Sequence, residues 1–139
     1  MIFPLLFDTN PGQERKKVLI VEDNTETQLI LKIYLRDYYE IDTVQDASGA
    51  LKNISKYKYD LIILDINLPG EMDSNDVIVR IKDDPEFRSI PILVVTAYAL
   101  KGDKEKFLAM GANGYLAKPV DKKEILRTTK ELIAANPVR

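Results

Sequence analysis

The chain contains no cysteine and no histidine. Thiol nucleophiles, imidazole acid/base chemistry and ordinary zinc sites are thereby excluded, because each needs one of those side chains. Any metal must be held by oxygen alone, which points to magnesium, manganese or calcium. The lack of cysteine suits a reducing compartment, so a cytoplasmic location is expected. Strong charge of one sign is also missing. The formal net charge of −2 gives no reason to expect a nucleic-acid partner, which favours clustered basic surface. Long hydrophobic runs are absent too. Met1-Ile2-Phe3-Pro4-Leu5-Leu6-Phe7 is apolar, but it carries no basic n-region, is broken by proline and is too short for a signal peptide or membrane span. No membrane insertion is expected.

What remains is a 139-residue chain, 45% hydrophobic and 30% charged, the balance of one soluble globular domain. Residues 1–15 read as a tail or linker, with a turn-rich stretch Asp8-Thr9-Asn10-Pro11-Gly12-Gln13. That tail is either a loosely ordered terminus or a docking segment for a partner or sister subunit. Residues 16–135 form the domain, and residues 136–139 a short C-terminal tail.

Four apolar runs each stop at a residue suited to metal or phosphate. Val18-Leu19-Ile20-Val21 ends at Glu22-Asp23, and Leu61-Ile62-Ile63-Leu64 ends at Asp65. Ile92-Leu93-Val94-Val95 ends at Thr96, and Tyr115-Leu116-Ala117 ends at Lys118-Pro119. Continuous β-branched-rich runs of this length read as buried parallel strands. Ile41 to Val44 is a shorter, weaker strand.

Helical patterns follow each strand. Thr25 with Gln28 reads as a capping box ahead of an apolar face of Leu29, Ile30, Ile33 and Tyr34. Asp46 caps Ala47 to Tyr57, with Ala50, Leu51 and Ile54 inward. Asn75 to Asp84 carries Val77, Ile78 and Ile81 and is followed by Pro85. Residues 101–110 bring Phe107, Leu108 and Met110, closed by Gly111. Asp121 with Glu124 reads as a second capping box, opening a last helix bearing Ile125, Leu132 and Ile133. Five alternations of strand and helix predict a doubly wound α/β fold, a five-stranded parallel sheet with helices on both faces. Ligands of such sheets bind at the carboxyl ends of the strands.

At that edge, Glu22, Asp23 and Asp65 would stand close together. Two carboxylates ~4 Å apart repel by roughly 4 kcal/mol at an effective dielectric near 20, so three need a cation or protons. Singly, each acid has an ordinary explanation: Asp23 as a helix cap, Asp65 as the place where a strand meets water. Lys118 and Thr96 change the weighting. An ammonium and a hydroxyl beside an acidic metal site make a phosphoryl-transfer constellation, in which one carboxylate can serve as nucleophile.

These segments, with Asn24 after the first acids, Ile66-Asn67-Leu68-Pro69-Gly70 after Asp65, Pro91 and Ala97 around the fourth strand, and Gly114 before the fifth, resemble the receiver domains of two-component response regulators. The likeness spans about residues 16–135 in the family's order. It implies a flavodoxin-like strand order 2-1-3-4-5. It implies Asp65 as phosphoacceptor, and Glu22, Asp23, Asp65 and the Asn67 carbonyl as ligands of Mg²⁺, for which Mn²⁺ can substitute. Thr96 and Lys118 would contact the phosphoryl oxygens, Thr96 and Tyr115 would form the conformational switch, and Lys118–Pro119 would be cis. The implied partners are a histidine kinase or histidine phosphotransfer protein as donor and an unnamed downstream protein. A homodimer is left open, as is whether the chain acts alone or as part of a larger regulator.

Two departures stand out. The run from Pro69 to Ser74 is one residue longer than usual, with Ser74 where glycine is common, so a reshaped loop is expected. Tyr98 occupies a position that in the family tunes dephosphorylation, and its bulk is expected to shield the phosphoryl group from water. Two rivals remain. An aspartate-nucleophile phosphatase of the haloacid-dehalogenase type needs an acid where Asn67 stands. A receiver-like module that binds partners without taking phosphate is the other.

Overall fold

A computed structural model describes residues 15–97 and 99–138. The expectation for Tyr98 and nearly all of the expected N-terminal tail lie outside them. The described chain alternates strictly: β1 Lys17–Val21, α1 Thr25–Leu35, β2 Glu40–Val44, α2 Ala47–Lys56, β3 Leu61–Asp65, α3 Ser74–Asp83, β4 Ile92–Thr96, α4 Asp103–Met110, β5 Gly114–Ala117 and α5 Lys122–Ala135. The five strands form one sheet in the order β2-β1-β3-β4-β5, every pair parallel. β1, β3 and β4 are central and buried on both faces, which is why they read as unbroken apolar runs.

Side-chain alternation along the strands makes two cores. Leu19, Val21, Ile62, Leu64, Ile92 and Val94 face α2, α3 and α4 through residues such as Ala50, Ile54, Ile78 and Phe107. Val18, Ile20, Leu61, Ile63, Leu93 and Val95 face α1 and α5 through Leu31, Leu35 and Ile125.

The helix starts show where local reading was right and where it failed. Asp46 and Asp121 cap α2 and α5 by accepting from the Gly49 and Glu124 amides, so Asp121 is a simple cap and not half of the expected capping box. For α1 the cap is Asn24, whose side chain accepts from Thr27 N at 2.8 Å, and not Thr25. Gln28 instead sends its amide to the carbonyls of Glu22 and Val44, tying α1 to the ends of two strands. The inward face of α1 also differs. Leu31 and Leu35 are buried while Leu29, Ile30 and Ile33 are exposed. Two apolar stripes run along this helix, and the position of the sheet decides which is covered. α3 begins at Ser74, with Asp73 and Asp76 forming a reciprocal capping box.

One buried polar group braces the sheet at the end away from the site. The Tyr59 hydroxyl, on a fully buried ring, donates to Asp42 Oδ2 at 2.6 Å and accepts from Asn53 Nδ2 at 3.1 Å. Burial first, then the Asp42 carboxylate, pushes its pKa well above the ordinary value of 10. The protonated form is the one the fold holds. Stability from this group is complete below pH ~10 and is lost above it, as the unfolded chain's tyrosine ionises first. Tyr59→Phe is expected to lower stability at pH 7 by about 1–2 kcal/mol through the lost hydrogen bonds. It should also flatten the alkaline decline, as read by urea titrations between neutral and alkaline pH.

Candidate phosphoryl-transfer site

The carboxyl ends of β1, β3, β4 and β5 converge on one edge. Parallel register sets Val21 beside Leu64, Asp65 beside Val95, and Thr96 beside Ala117. Asp65 and Thr96, which end β3 and β4, and Glu22 and Lys118, which follow β1 and β5, therefore stand at the same edge. Glu22 and Asp65 are 3% and 7% exposed, unusual for carboxylates unless paired. Lys118 lies between them, its ammonium donating to Glu22 Oε1 at 2.6 Å and standing 3.5 Å from Asp65 Oδ2. The Lys118–Pro119 peptide is cis, and the Lys118 amide donates to the Thr96 carbonyl at 2.8 Å.

Asp65 is the perturbed group. Burial, reinforced by the Glu22 charge, pushes its pKa from 3.8 up to about 6, against the opposing pull of Lys118 and the Asn67 amide. That amide donates to Asp65 Oδ1 at 3.3 Å. The Asn24 amide similarly donates to Glu22 Oε2 at 3.1 Å. Asp23 and Asn67 border the crevice with exposed side chains. Among the described residues no three acidic side chains are gathered closely enough to hold a metal ion as they stand. The site brings together Glu22, Asp65 and Lys118, with the Lys118 cation beside both acids, and leaves Asp23 at the rim.

Thr96 is fully buried at the end of β4. Tyr115 stacks on Phe107, ring centroids 6.3 Å apart and planes 16° off parallel. Its hydroxyl is buried and has no hydrogen-bond partner among the described residues, a costly state for a polar group. Burial first, then the charges of Asp103 and Glu105, raises its pKa.

Ser74 is the residue sequence reasoning undervalued. Its buried hydroxyl is shared between the carbonyls of Asp65 and Ile66, 3.0 Å from the latter. The β3–α3 loop, with Gly70 at φ +99°, thus ends on a serine that fastens α3 to the backbone of Asp65. A hydroxyl where glycine is common was the signal available in the sequence. Ser74→Ala is expected to cost about 1–3 kcal/mol, since two buried carbonyls lose their donor. Urea unfolding checks it.

The chain matches the response regulator receiver domain family over residues 18–130. The polar-differentiation response regulator DivK of Brucella ovis is 38% identical over 123 residues, covering 85% of this chain and 96% of that protein. Two solved structures share the fold. One is the receiver domain of a sensor histidine kinase from Pseudomonas aeruginosa PAO1, with a magnesium ion coordinated in its active-site cleft. It has a TM-score of 0.79 at 34% identity and covers 87% of this chain and 99% of its own. The other is a chemotaxis response regulator of Vibrio cholerae, with a TM-score of 0.78 at 29% identity, covering 86% and 99%. This chain belongs to the response regulator receiver family and has its flavodoxin-like fold.

Proposed function

We propose that Asp65 is the phosphoacceptor of a two-component signalling step that depends on a divalent cation. The observation that carries this reading is the buried Glu22–Lys118–Asp65 cluster at the carboxyl edge of the sheet. One carboxylate oxygen of Asp65 attacks the phosphorus of a donor phosphohistidine. The P–O bond forms as the P–N bond breaks, and the imidazole leaves with the electron pair and takes a proton from solvent. The donor is a histidine kinase or histidine phosphotransfer protein, since this chain has no histidine to carry the group itself. The exposed Leu29, Ile30 and Ile33 of α1 offer that donor an apolar surface beside the site.

The donor set fits magnesium, with manganese substituting: oxygen ligands only, and a buried acid pair in which burial, then the Glu22 charge, raises Asp65. Glu22, Asp23, Asp65 and the Asn67 carbonyl are the residues that would hold it. When bound, the ion supplies charge neutralisation for the carboxylates and the incoming phosphoryl oxygens. Lys118 then exchanges part of its contact with Glu22 for a phosphoryl oxygen, and the Thr96 hydroxyl donates to another.

The Tyr115 hydroxyl, which has no hydrogen-bond partner among the described residues, supports a switch role. Movement of Thr96 toward the phosphoryl group opens room behind it, and Tyr115 gains by turning to where its hydroxyl is satisfied. The surface of α4, β5 and α5 changes with it and passes the signal to a downstream protein or a second copy. A shift from 1:99 to 99:1 needs about 5.5 kcal/mol of differential interaction, within reach of several charge-assisted contacts. The test is incubation with acetyl phosphate, with and without Mg²⁺, followed by intact-mass spectrometry. A phosphoryl-sized gain only with the metal is expected. No gain, together with a Tyr115 environment unchanged by beryllofluoride, would favour the phosphate-independent module.

A further inference from the structure

Ser74 opens α3, yet its side chain does not serve that helix. Asp73 and Asp76 already close the helix start, Asp73 accepting from the Asp76 amide at 2.9 Å and Asp76 from the Asp73 amide at 3.1 Å. The Ser74 hydroxyl, on a residue only 1% exposed, turns the other way. It is shared between the carbonyls of Asp65 and Ile66, a three-centre arrangement common at helix ends. A buried donor so placed fixes two successive peptide groups just beyond β3.

The second of those groups reaches the site. The peptide joining Ile66 to Asn67 is held at its oxygen by Ser74, 3.0 Å away. Its N–H, the Asn67 amide, donates to Asp65 Oδ1 at 3.3 Å. One rigid plane therefore links the serine hydroxyl to the carboxylate. The link is sensitive, because 3.3 Å is long for an N–H···O bond and a small rotation of the peptide would break it. The carboxylate depends on the link as well. The terminal torsion of an aspartate is broad, so its partners rather than its own rotamer set the plane of the two oxygens. Oδ1 has the Asn67 amide, and Oδ2 faces the Lys118 ammonium at 3.5 Å. Loss of the first frees that end of the group to turn. Attack on phosphorus needs an oxygen lone pair aligned with the bond that breaks, so this orientation bears directly on rate.

We propose that Ser74 is a positioning residue for phosphoryl transfer, orienting the Asp65 carboxylate through the Ile66–Asn67 peptide; this rests on the reading of Asp65 as phosphoacceptor. Ser74 touches neither the donor nor the phosphoryl group. It keeps the Asn67 amide aimed at Oδ1.

The test uses the full-length chain with acetyl phosphate at saturating Mg²⁺. It follows the rate of mass gain and, in the unphosphorylated protein, the Asn67 amide proton in ¹H–¹⁵N spectra. Ser74→Ala is expected to slow uptake about tenfold and to move the Asn67 amide proton upfield as its hydrogen bond weakens. Ser74→Thr keeps the hydroxyl and is expected to restore both. Ser74→Cys, close in size but a weak donor, is expected to follow alanine, and it replaces that variant if alanine does not fold. Tyr59→Phe is the control for lost stability, since its hydrogen bonds lie away from the site; it should take up phosphate at the parent's rate. Equal slowing of Ser74→Ala and Tyr59→Phe, an unmoved Asn67 amide, or a threonine variant as slow as alanine would overturn the proposal. Uptake by Ser74→Ala at the parent's rate would overturn it too, while leaving Asp65 as the acceptor. No uptake by the parent protein would instead remove the acceptor reading, and the role of Ser74 with it.

Discussion

Asp65→Asn is expected to abolish phosphoryl uptake while making the metal-free protein more stable. The two effects have one origin. The carboxylate proposed as nucleophile is held where its charge is costly, 7% exposed and facing Glu22. Its pKa is raised from 3.8 to about 6. A carboxyl raised in the fold is stabilised in its protonated form, so its contribution falls as pH rises from 3.8 through about 6, and the full cost is present at neutral pH. A shift of this size corresponds to at most about 3 kcal/mol. Water entry reduces that, and a gain of roughly 1–2 kcal/mol is expected for the asparagine variant at pH 7 without metal. Unfolding curves with and without Mg²⁺ check this. The metal should raise the stability of the parent protein and have little effect on the variant. Equal stability of the two at pH 7 would mean that Asp65 carries no stored charge.

Lys118→Met is expected to produce the largest loss of stability at the site. The ammonium stands 2.6 Å from Glu22 Oε1 and 3.5 Å from Asp65 Oδ2, and its removal leaves two buried carboxylates facing each other. Breaking a buried ion pair by deleting one partner typically costs about 3–5 kcal/mol. Methionine keeps most of the stem, so the change is chiefly in charge. Because the fault is uncompensated negative charge, a divalent cation or acid pH should recover much of the loss. Urea midpoints at low and high Mg²⁺ give the comparison. A small loss, unaffected by metal or pH, would show that the two acids are not coupled through Lys118.

The strands were legible because three central strands of a parallel sheet leave no room for polar alternation, so Val18–Val21, Leu61–Leu64 and Ile92–Val95 stand out as blocks. The site was legible for the same reason, since each block ends at the residue that enters the crevice. The helix faces were less so. In α1, Leu29, Ile30 and Ile33 make as good a stripe as Leu31 and Leu35, and local periodicity cannot say which one the sheet will cover. Likewise Thr25 and Asn24 are both competent caps, and the tether from Gln28 to two strand ends is tertiary.

Lone polar residues were hardest to read. Ser74 and Tyr59 gain their roles from partners in backbone carbonyls or on other elements. Lys82 is similar: its ammonium is enclosed by the carbonyls of Arg88 and Ile90 and by Asn113 Oδ1 at 3.2, 2.9 and 3.0 Å, and burial lowers its pKa. In the sequence it is one of many surface-type lysines. The Glu22–Asp23–Asp65 cluster shows the opposite limit. Proximity of strand ends brings Glu22 and Asp65 together, whereas the side chain of Asp23 stays exposed, a difference that adjacency in sequence does not reveal.

The central claim is that Asp65 itself takes the phosphoryl group. Borohydride reduction of protein treated with acetyl phosphate and Mg²⁺ converts an aspartyl phosphate to homoserine, and peptide mapping locates it. Conversion at Asp65 alone, dependent on the metal, is the predicted result. Conversion at another acid, or none under conditions that phosphorylate a known receiver, would contradict the account.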